Sequence, residues 1–265
     1  MVFAVDFFEH VLDSPHWHFF ETMNLGFTLP WPLTKFIVLE LIAAGVIAFL
    51  FIRLAKRIRN GQPAHGWGWN ALEVLLTFIR DEVARPVLED DTDKYVPFLW
   101  TIFIFILANN LMGVIPFMGS ATGSILVTGA MATCAFFLIH GAAIAKHGPV
   151  HYIKSYYPHI DAPGGFFIGI FIAFIEIMGH FIKGFVLAVR LFANIFAGHT
   201  VLAVILSFIA LAKNTNVFLH MSISVGSVLF IVALSFLEIF VAFLQAYVFV
   251  FLTTLFLSMT LHPEH

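Results

Sequence analysis

Charged residues and cysteine are scarce in this chain of 265 residues. Asp, Glu, Lys and Arg together make up 11% of it, whereas a soluble globular domain carries about 25% charged residues. Hydrophobic residues make up 60%, so too little polar surface remains to keep a folded monomer in water. This composition excludes a soluble enzyme, a nucleic-acid-binding protein and a disordered chain, and it indicates an integral membrane protein.

The chain also lacks the motifs of disulfide-linked and nucleotide-binding proteins. Its single cysteine, Cys134, excludes a disulfide within the chain. No phosphate-binding glycine loop and no other nucleotide-binding motif occurs in the sequence. We therefore expect no bound cofactor, no metal site and no direct binding of nucleotides or nucleic acid.

The apolar runs are continuous and long, whereas a membrane β-barrel needs short segments of alternating polarity. The runs therefore predict an all-α integral membrane protein, with about five membrane helices and one amphipathic surface helix. We expect an external N-terminal segment (1–35) and a single membrane domain (36–265). Within that domain we expect a first span (36–55), the surface helix (70–86), a helical hairpin (96–145) and two long apolar blocks (166–212 and 217–261).

Basic residues predict the orientation. Seven of the 13 basic residues lie between Arg53 and Lys94, and short loops rich in Lys and Arg stay on the cytoplasmic side of a membrane. The acidic N-terminal segment is then outside, and the C-terminus is inside.

The segment Asn70–Arg85 differs from the spans because it carries five charges. Asn70 and Glu73 have the spacing of a capping box, and Pro86 is the expected stop. We expect an amphipathic helix on the cytoplasmic membrane face or against another subunit. Its apolar positions follow the helical i, i+3, i+4, i+7 pattern and are Leu72, Leu75, Leu76, Ile79 and Val83.

The two long apolar blocks leave two alternatives. A helix of 45 residues is about 68 Å long, whereas the hydrocarbon core is about 30 Å thick. Each block is therefore either a hairpin of two spans or one long, strongly tilted helix. The absence of an internal proline or turn cluster favours the tilted helix.

Arg190 lies deep in the first of these blocks. An Arg at the centre of a bilayer costs about 2.5–3.5 kcal/mol on insertion scales, so it needs a partner, a wet cavity or a function. Its guanidinium stays charged and cannot relay protons, but it can attract, orient or block ions. The structural alternative is an ion pair with Glu176 or Glu238.

A polar stripe surrounds Arg190 on the same helix. Its members span about 27 Å of axis within an arc of about 80°. The alternative to a functional stripe is a bundle helix whose polar contacts are all satisfied. The stripe consists of Glu176, His180, Lys183, Arg190 and Asn194.

His199 faces away from this stripe, and Glu238 on the last block is its natural partner. Each side chain would be expensive in lipid without the other. Because imidazole gains and loses protons near neutrality, the pair is suited to proton relay; a static pair is the alternative. Gln245, seven residues after Glu238, lies on the same face as that carboxylate.

Three segments carry a resemblance to a known family. LAVRLFANIFAGH, ANNLMGVIPF and LEIFVAFLQAYVFVFLTTLFLSM closely resemble segments of subunit a of F-type rotary ATP synthases. The likeness runs in order from about residue 30, and the surface helix is similar to one in that family. The resemblance also implies two long tilted helices that embrace a ring of c subunits.

The resemblance implies roles for the polar residues. Arg190 would be the essential charge facing the c-ring, with Asn194 and Gln245 beside it. His199 and Glu238 would form the proton inlet pair, in an order that resembles the mitochondrial branch. Glu176 would lie on the proton exit side, and Gly113 stands where many bacterial members have an acid. Minor members of the path would be His180, Lys183 and Glu40.

The function implied by the resemblance is proton conduction through two half-channels, coupled to rotation of the c-ring and to ATP synthesis. The partners would be the c-ring, the peripheral-stalk b subunits, the rest of the complex and membrane lipid. ATP chemistry would belong to other subunits, so we expect no independent catalytic activity. The location would be the bacterial inner membrane, with the mitochondrial inner membrane as the alternative.

Two other classes of membrane protein compete with this interpretation. A membrane haem cytochrome would use paired axial histidines, for which His140, His180 and His199 are available. A stand-alone ion-coupled transporter commonly shows inverted internal repeats, and we find none. The cytochrome interpretation gives Arg190 no role.

Overall fold

The computed structural model describes residues 35–58, 66–114, 121–150, 152, 165–212 and 216–261. These residues are almost entirely helical and contain no strand. Five helices are long and apolar enough to cross a membrane. The predicted all-α membrane fold is thereby confirmed, while residues 1–34 of the expected external segment lie outside the described part.

Seven α-helices with fully described bounds follow one another along the chain. A π-helical turn (Ile79–Ala84) joins α2 to α3, and single 3-10 turns (Glu89–Asp91 and Ala121–Gly123) precede α4 and α5. The α-helices are α1 (Lys35–Ile58), α2 (Trp67–Phe78), α3 (Arg85–Leu88), α4 (Thr92–Val114), α5 (Ile125–His147), α6 (Gly165–Ala212) and α7 (Val217–Leu261).

Each long apolar block is one uninterrupted helix. Helix α6 has 48 residues and α7 has 45, which gives lengths of about 72 and 68 Å. Neither block contains a proline to interrupt the helical hydrogen bonds. The hairpin alternative is excluded, and a helix this long can stay within a bilayer about 30 Å thick only at a strong tilt.

The surface helix differs in detail from its prediction. Gly66, at φ 116°, precedes it, and no side chain caps it. Asn70 already lies within the helix, because its N–H donates to the Gly66 carbonyl at 3.0 Å. The prediction of a capping box that starts at Asn70 is therefore wrong. Pro86 is not the stop either: it lies in the first turn of α3, where its missing N–H is tolerated. The surface helix consists of α2, the π-helical turn and α3 together. It ends at Glu89, whose φ is 47°.

The chain folds into two compact units. Of the described residues, the first unit comprises 35–58, 101–114, 121–127, 191–212 and 216–247. Its buried residues come from α1, α4, α6 and α7 and include Leu39, Phe103 and Leu191. The rings of Phe103 and Phe243 meet edge to face at 5.8 Å, a favourable geometry for an aromatic pair.

Of the described residues, the second unit comprises 66–100, 128–150, 152, 165–190 and 248–261. Here the surface helix buries the apolar stripe that the sequence predicts, through Leu76, Ile79 and Val83. Two side chains tie this segment to its neighbours. The Trp100 indole N–H donates to the Leu76 carbonyl at 2.8 Å, and the Ser258 hydroxyl donates to the Val87 carbonyl at 2.8 Å.

Candidate functional site

A cavity of about 220 Å³ lies within the first unit. Helices α4, α6 and α7 form its wall, which is mostly apolar or glycine. Among the described residues, the polar side chains that line it are those of Asn110, Asn194 and Glu238. The other lining residues are Gly113, Val114, Ile195, Ala197, Gly198, Val201, Leu234, Leu237 and Val241.

The Glu238 carboxylate lies against the backbone of Gly198. A Cβ atom added to Gly198 would be 2.5 Å from Glu238 Oε1 and 3.4 Å from its Cδ. Side-chain carbons do not approach other heavy atoms so closely, so the carboxylate occupies the space that any other residue at 198 would fill. Gly198 is therefore part of the site, although sequence reasoning gave it no role.

Asn110 is a second site residue that the sequence analysis did not single out. Its side chain is fully buried. Its Oδ1 accepts a hydrogen bond from the Thr122 hydroxyl at 2.8 Å, and its Nδ2 donates to the Ala242 carbonyl at 3.4 Å. These bonds fix the amide between α4 and α7 at the cavity wall. The signal available in the sequence was its place in ANNLMGVIPF.

Gln245 follows Glu238 two turns later on α7. It is buried, and its Nε2 has no hydrogen-bond partner among the described residues. Buried polar groups in proteins almost always have a partner or an ordered water. The Gln245 amide N–H can therefore donate a hydrogen bond to water or to a polar group outside the described residues.

Arg190 is exposed and forms no ion pair with a described residue. Because α6 is one continuous helix, the five positions of the predicted stripe share one face of it. Lys183, one of the five, is half-exposed and holds its ammonium 4.9 Å from the centroid of the Phe256 ring. Such a cation–π contact stabilises a charge near apolar surroundings.

Several predicted site side chains lie outside the described part of the structure. They are the side chains of Glu176, His180 and His199, although their backbones belong to α6. The pairing of His199 with Glu238 therefore stays a prediction. Glu40 is half-buried within α1.

Comparison with known proteins assigns the chain to a family. The sequence pattern described as "ATP synthase A chain" matches residues 37–258. The chain belongs to this family. The resemblance to subunit a is thus confirmed, and it extends over all five helices that can cross a membrane.

Individual members of the ATP synthase A chain family are similar over most of their length. ATP synthase subunit a of Myxococcus xanthus is 34% identical over 275 residues, which cover 97% of this chain and 87% of the relative. ATP synthase subunit a of Chloroherpeton thalassium is 35% identical, covering 98% and 78%. ATP synthase subunit a 2 of Prosthecochloris aestuarii is 36% identical, covering 88% and 70%.

As a member of this family, the chain is a membrane protein that takes part in ATP synthesis and proton transport. The matched family is neither of the two rival classes, a haem cytochrome or a stand-alone transporter.

Proposed function

We propose that this chain forms the two proton half-channels of an F-type ATP synthase and couples proton flow to rotation of its c-ring. The observation that carries the proposal is the cavity of the first unit, whose described lining is apolar or glycine apart from the side chains of Glu238, Asn110 and Asn194. Ionisable side chains within membrane helices are rare, and they mark ion and substrate pathways.

The cavity is the inner end of the inlet half-channel in this proposal. Protons reach Glu238, with His199 as its expected partner, and pass from there to a carboxylate on the adjacent c subunit. Once protonated, that carboxylate can turn into the lipid, which would exclude its charged form. Gly198 keeps the space for the Glu238 carboxylate open.

Arg190 separates the two half-channels. It remains charged at physiological pH, and it is exposed on a membrane helix without an ion pair among the described residues. A carboxylate returning on the ring would be held in its ionised form by this charge, so its proton leaves toward the exit side. The same charge repels protons that would otherwise leak from one half-channel to the other.

The remaining polar residues have supporting roles. Asn194 and Gln245 hold water or the ring carboxylate near Arg190, and Glu176 lies along the exit path with His180 and Lys183. Glu40 is a further candidate for the path. ATP chemistry belongs to other subunits, and the b subunits anchor the chain. The bacterial relatives favour the bacterial inner membrane, with H⁺ as the coupling ion.

The test is ATP-driven acidification of inverted membrane vesicles that carry Arg190→Ala. Arg53→Ala is the matched control, because Arg53 is also an exposed arginine on a membrane helix, 5.3 Å from the Phe49 ring centroid. Assembly of the complex and ATP hydrolysis are measured on the same vesicles.

We expect Arg190→Ala to abolish acidification while the complex still assembles, and we expect Arg53→Ala to pump at the wild-type rate. Normal pumping by an assembled Arg190→Ala complex would contradict the proposal. Equal loss in both variants would show that the effect is a general one of removing a cation.

A further inference from the structure

Helix α7 carries a second set of polar residues far from Glu238. His220, Ser224 and Ser227 follow one another at intervals of four and three residues, which places them on one face of the helix. His220 and Glu238 are 18 residues apart, about five full turns and about 27 Å of axis. The three residues therefore lie on the same face as Glu238, toward the beginning of α7.

Two polar atoms on this face are buried without a hydrogen-bond partner in the described part of the chain. His220 Nδ1 and Ser224 Oγ have no hydrogen bond within the described residues, and Ser227 is only 9% exposed. Other serines of α7 behave differently. The hydroxyls of Ser222 and Ser235 each donate to a carbonyl one turn earlier at 3.0 Å, as serine commonly does in an apolar helix.

Water is the partner that fits these atoms. A buried hydroxyl or ring nitrogen without a hydrogen bond destabilises the folded state, and ordered water is the usual way in which a protein satisfies such groups. Two unsatisfied groups and a buried serine on one face would hold a file of water molecules, since each lies within about one turn of the next.

The face of α7 that carries these three residues continues toward the cavity that Glu238 lines. Between Ser227 and Glu238 the same face carries Ile231 and Leu234, and Leu234 already lines the cavity. The cavity therefore reaches to within seven residues of Ser227, about 10 Å along the axis. Ile231 is the apolar residue that lies on this face between Ser227 and Leu234.

We propose that His220, Ser224 and Ser227 line a water-filled path through which protons travel along α7 to the Glu238 cavity, with His220 at its outer mouth. The inference rests on the proposed function, and it adds residues to the path that neither the family resemblance nor the polar stripe of α6 assigns. An imidazole at the mouth can take up and release protons, and the two hydroxyls can orient the water between them.

The experiment measures which positions of α7 contact water in the intact complex. Cys134, the single native cysteine, is first replaced by Ser. Ser224→Cys and Ser227→Cys are then compared with Val225→Cys. Val225 lies at the same depth and is 51% exposed, but it points about 140° away from His220 around the helix axis.

Right-side-out vesicles are treated with a cationic, water-soluble methanethiosulfonate reagent. Because the thiolate is the reactive species and forms only in contact with water, we expect Ser224→Cys and Ser227→Cys to react about tenfold faster than Val225→Cys. Cysteine is close to serine in size, so both variants should assemble. We also expect modification of either position, but not of Val225→Cys, to reduce ATP-driven acidification once the membranes are inverted.

The path is overturned if either serine position reacts no faster than Val225→Cys, or if modification at both leaves pumping unchanged. This result is separable from failure of the proposed function. If the proposed function were wrong, Arg190→Ala would pump normally, whatever the labelling pattern. Loss of pumping in Arg190→Ala together with a dry Ser224 face would leave the half-channel proposal standing and reject only this route.

Discussion

At the residue scale, the contact between Gly198 and Glu238 is the most sensitive feature of the site. The carboxylate lies where a side chain at 198 would begin, so one added methyl group must displace it. The displaced atom is the end of a flexible side chain, which can move at little cost to folding. Replacing glycine by alanine within a helix also stabilises the backbone by about 0.5–1 kcal/mol. The consequence should therefore appear in activity and not in stability.

We predict that Gly198→Ala lowers ATP-driven acidification while the thermal stability of the complex changes little. A displacement of about 1 Å at a reacting group can lower a rate by up to about 100-fold. Gly226→Ala is the matched control, since it lies on α7 and a Cβ there meets no atom within 4 Å. Acidification at the wild-type rate in Gly198→Ala would show that the carboxylate position is not critical.

Some residues of the candidate site stand out in the sequence and others do not, for a physical reason. Arg190 and Glu238 are conspicuous because a charge inside an apolar block is expensive wherever it points. Asn110 and Gly198 carry no such penalty, and their importance depends on what another part of the chain brings beside them. The Thr122 hydroxyl and the Glu238 carboxylate supply that context, and a single sequence does not reveal it.

At the scale of elements, the surface segment shows that hydrophobic periodicity predicts which face of a helix is buried better than capping and proline signals predict where the helix ends. Its apolar stripe is correctly predicted, because burial of that stripe decides which face packs inward. The ends of the segment are not correctly predicted. The helix starts after Gly66 without a side-chain cap, and at the other end Pro86 fits into the first turn of α3, after a π-helical turn. In that turn the Arg85 N–H donates to the Arg80 carbonyl, five residues back, which is the widened spacing of a π-helix.

We predict that Trp100→Phe loosens this surface segment. The change keeps an aromatic ring but removes the N–H that donates to the Leu76 carbonyl at 2.8 Å. The loss of one such hydrogen bond is worth about 1 kcal/mol, so amide hydrogen exchange in residues 76–88 should become several-fold faster.

Trp67→Phe is the control for this experiment, because Trp67 is 91% exposed at the start of α2. It should leave exchange in the same segment unchanged. Equal exchange in the Trp100 and Trp67 variants would show that packing of the ring, and not the indole hydrogen bond, holds the segment.

At the scale of the whole molecule, helix number and basic residues together set the orientation. Five helices can cross a membrane, and an odd number of crossings puts the two ends of the chain on opposite sides. Because α6 and α7 are each one helix, we expect the start of α7 on the side of the membrane opposite the loop that follows α5. The positive-inside rule places the latter loop in the cytoplasm.

We therefore predict that Asn216, exposed just before α7, faces the outside, and that Val150, 66% exposed after α5, faces the cytoplasm. In a Cys134→Ser background, a membrane-impermeant maleimide should label Asn216→Cys in right-side-out vesicles and Val150→Cys only in inverted ones. The opposite pattern would reverse the orientation of α7. His220 would then open toward the cytoplasm, and the path that begins there would serve proton release during ATP synthesis instead of uptake.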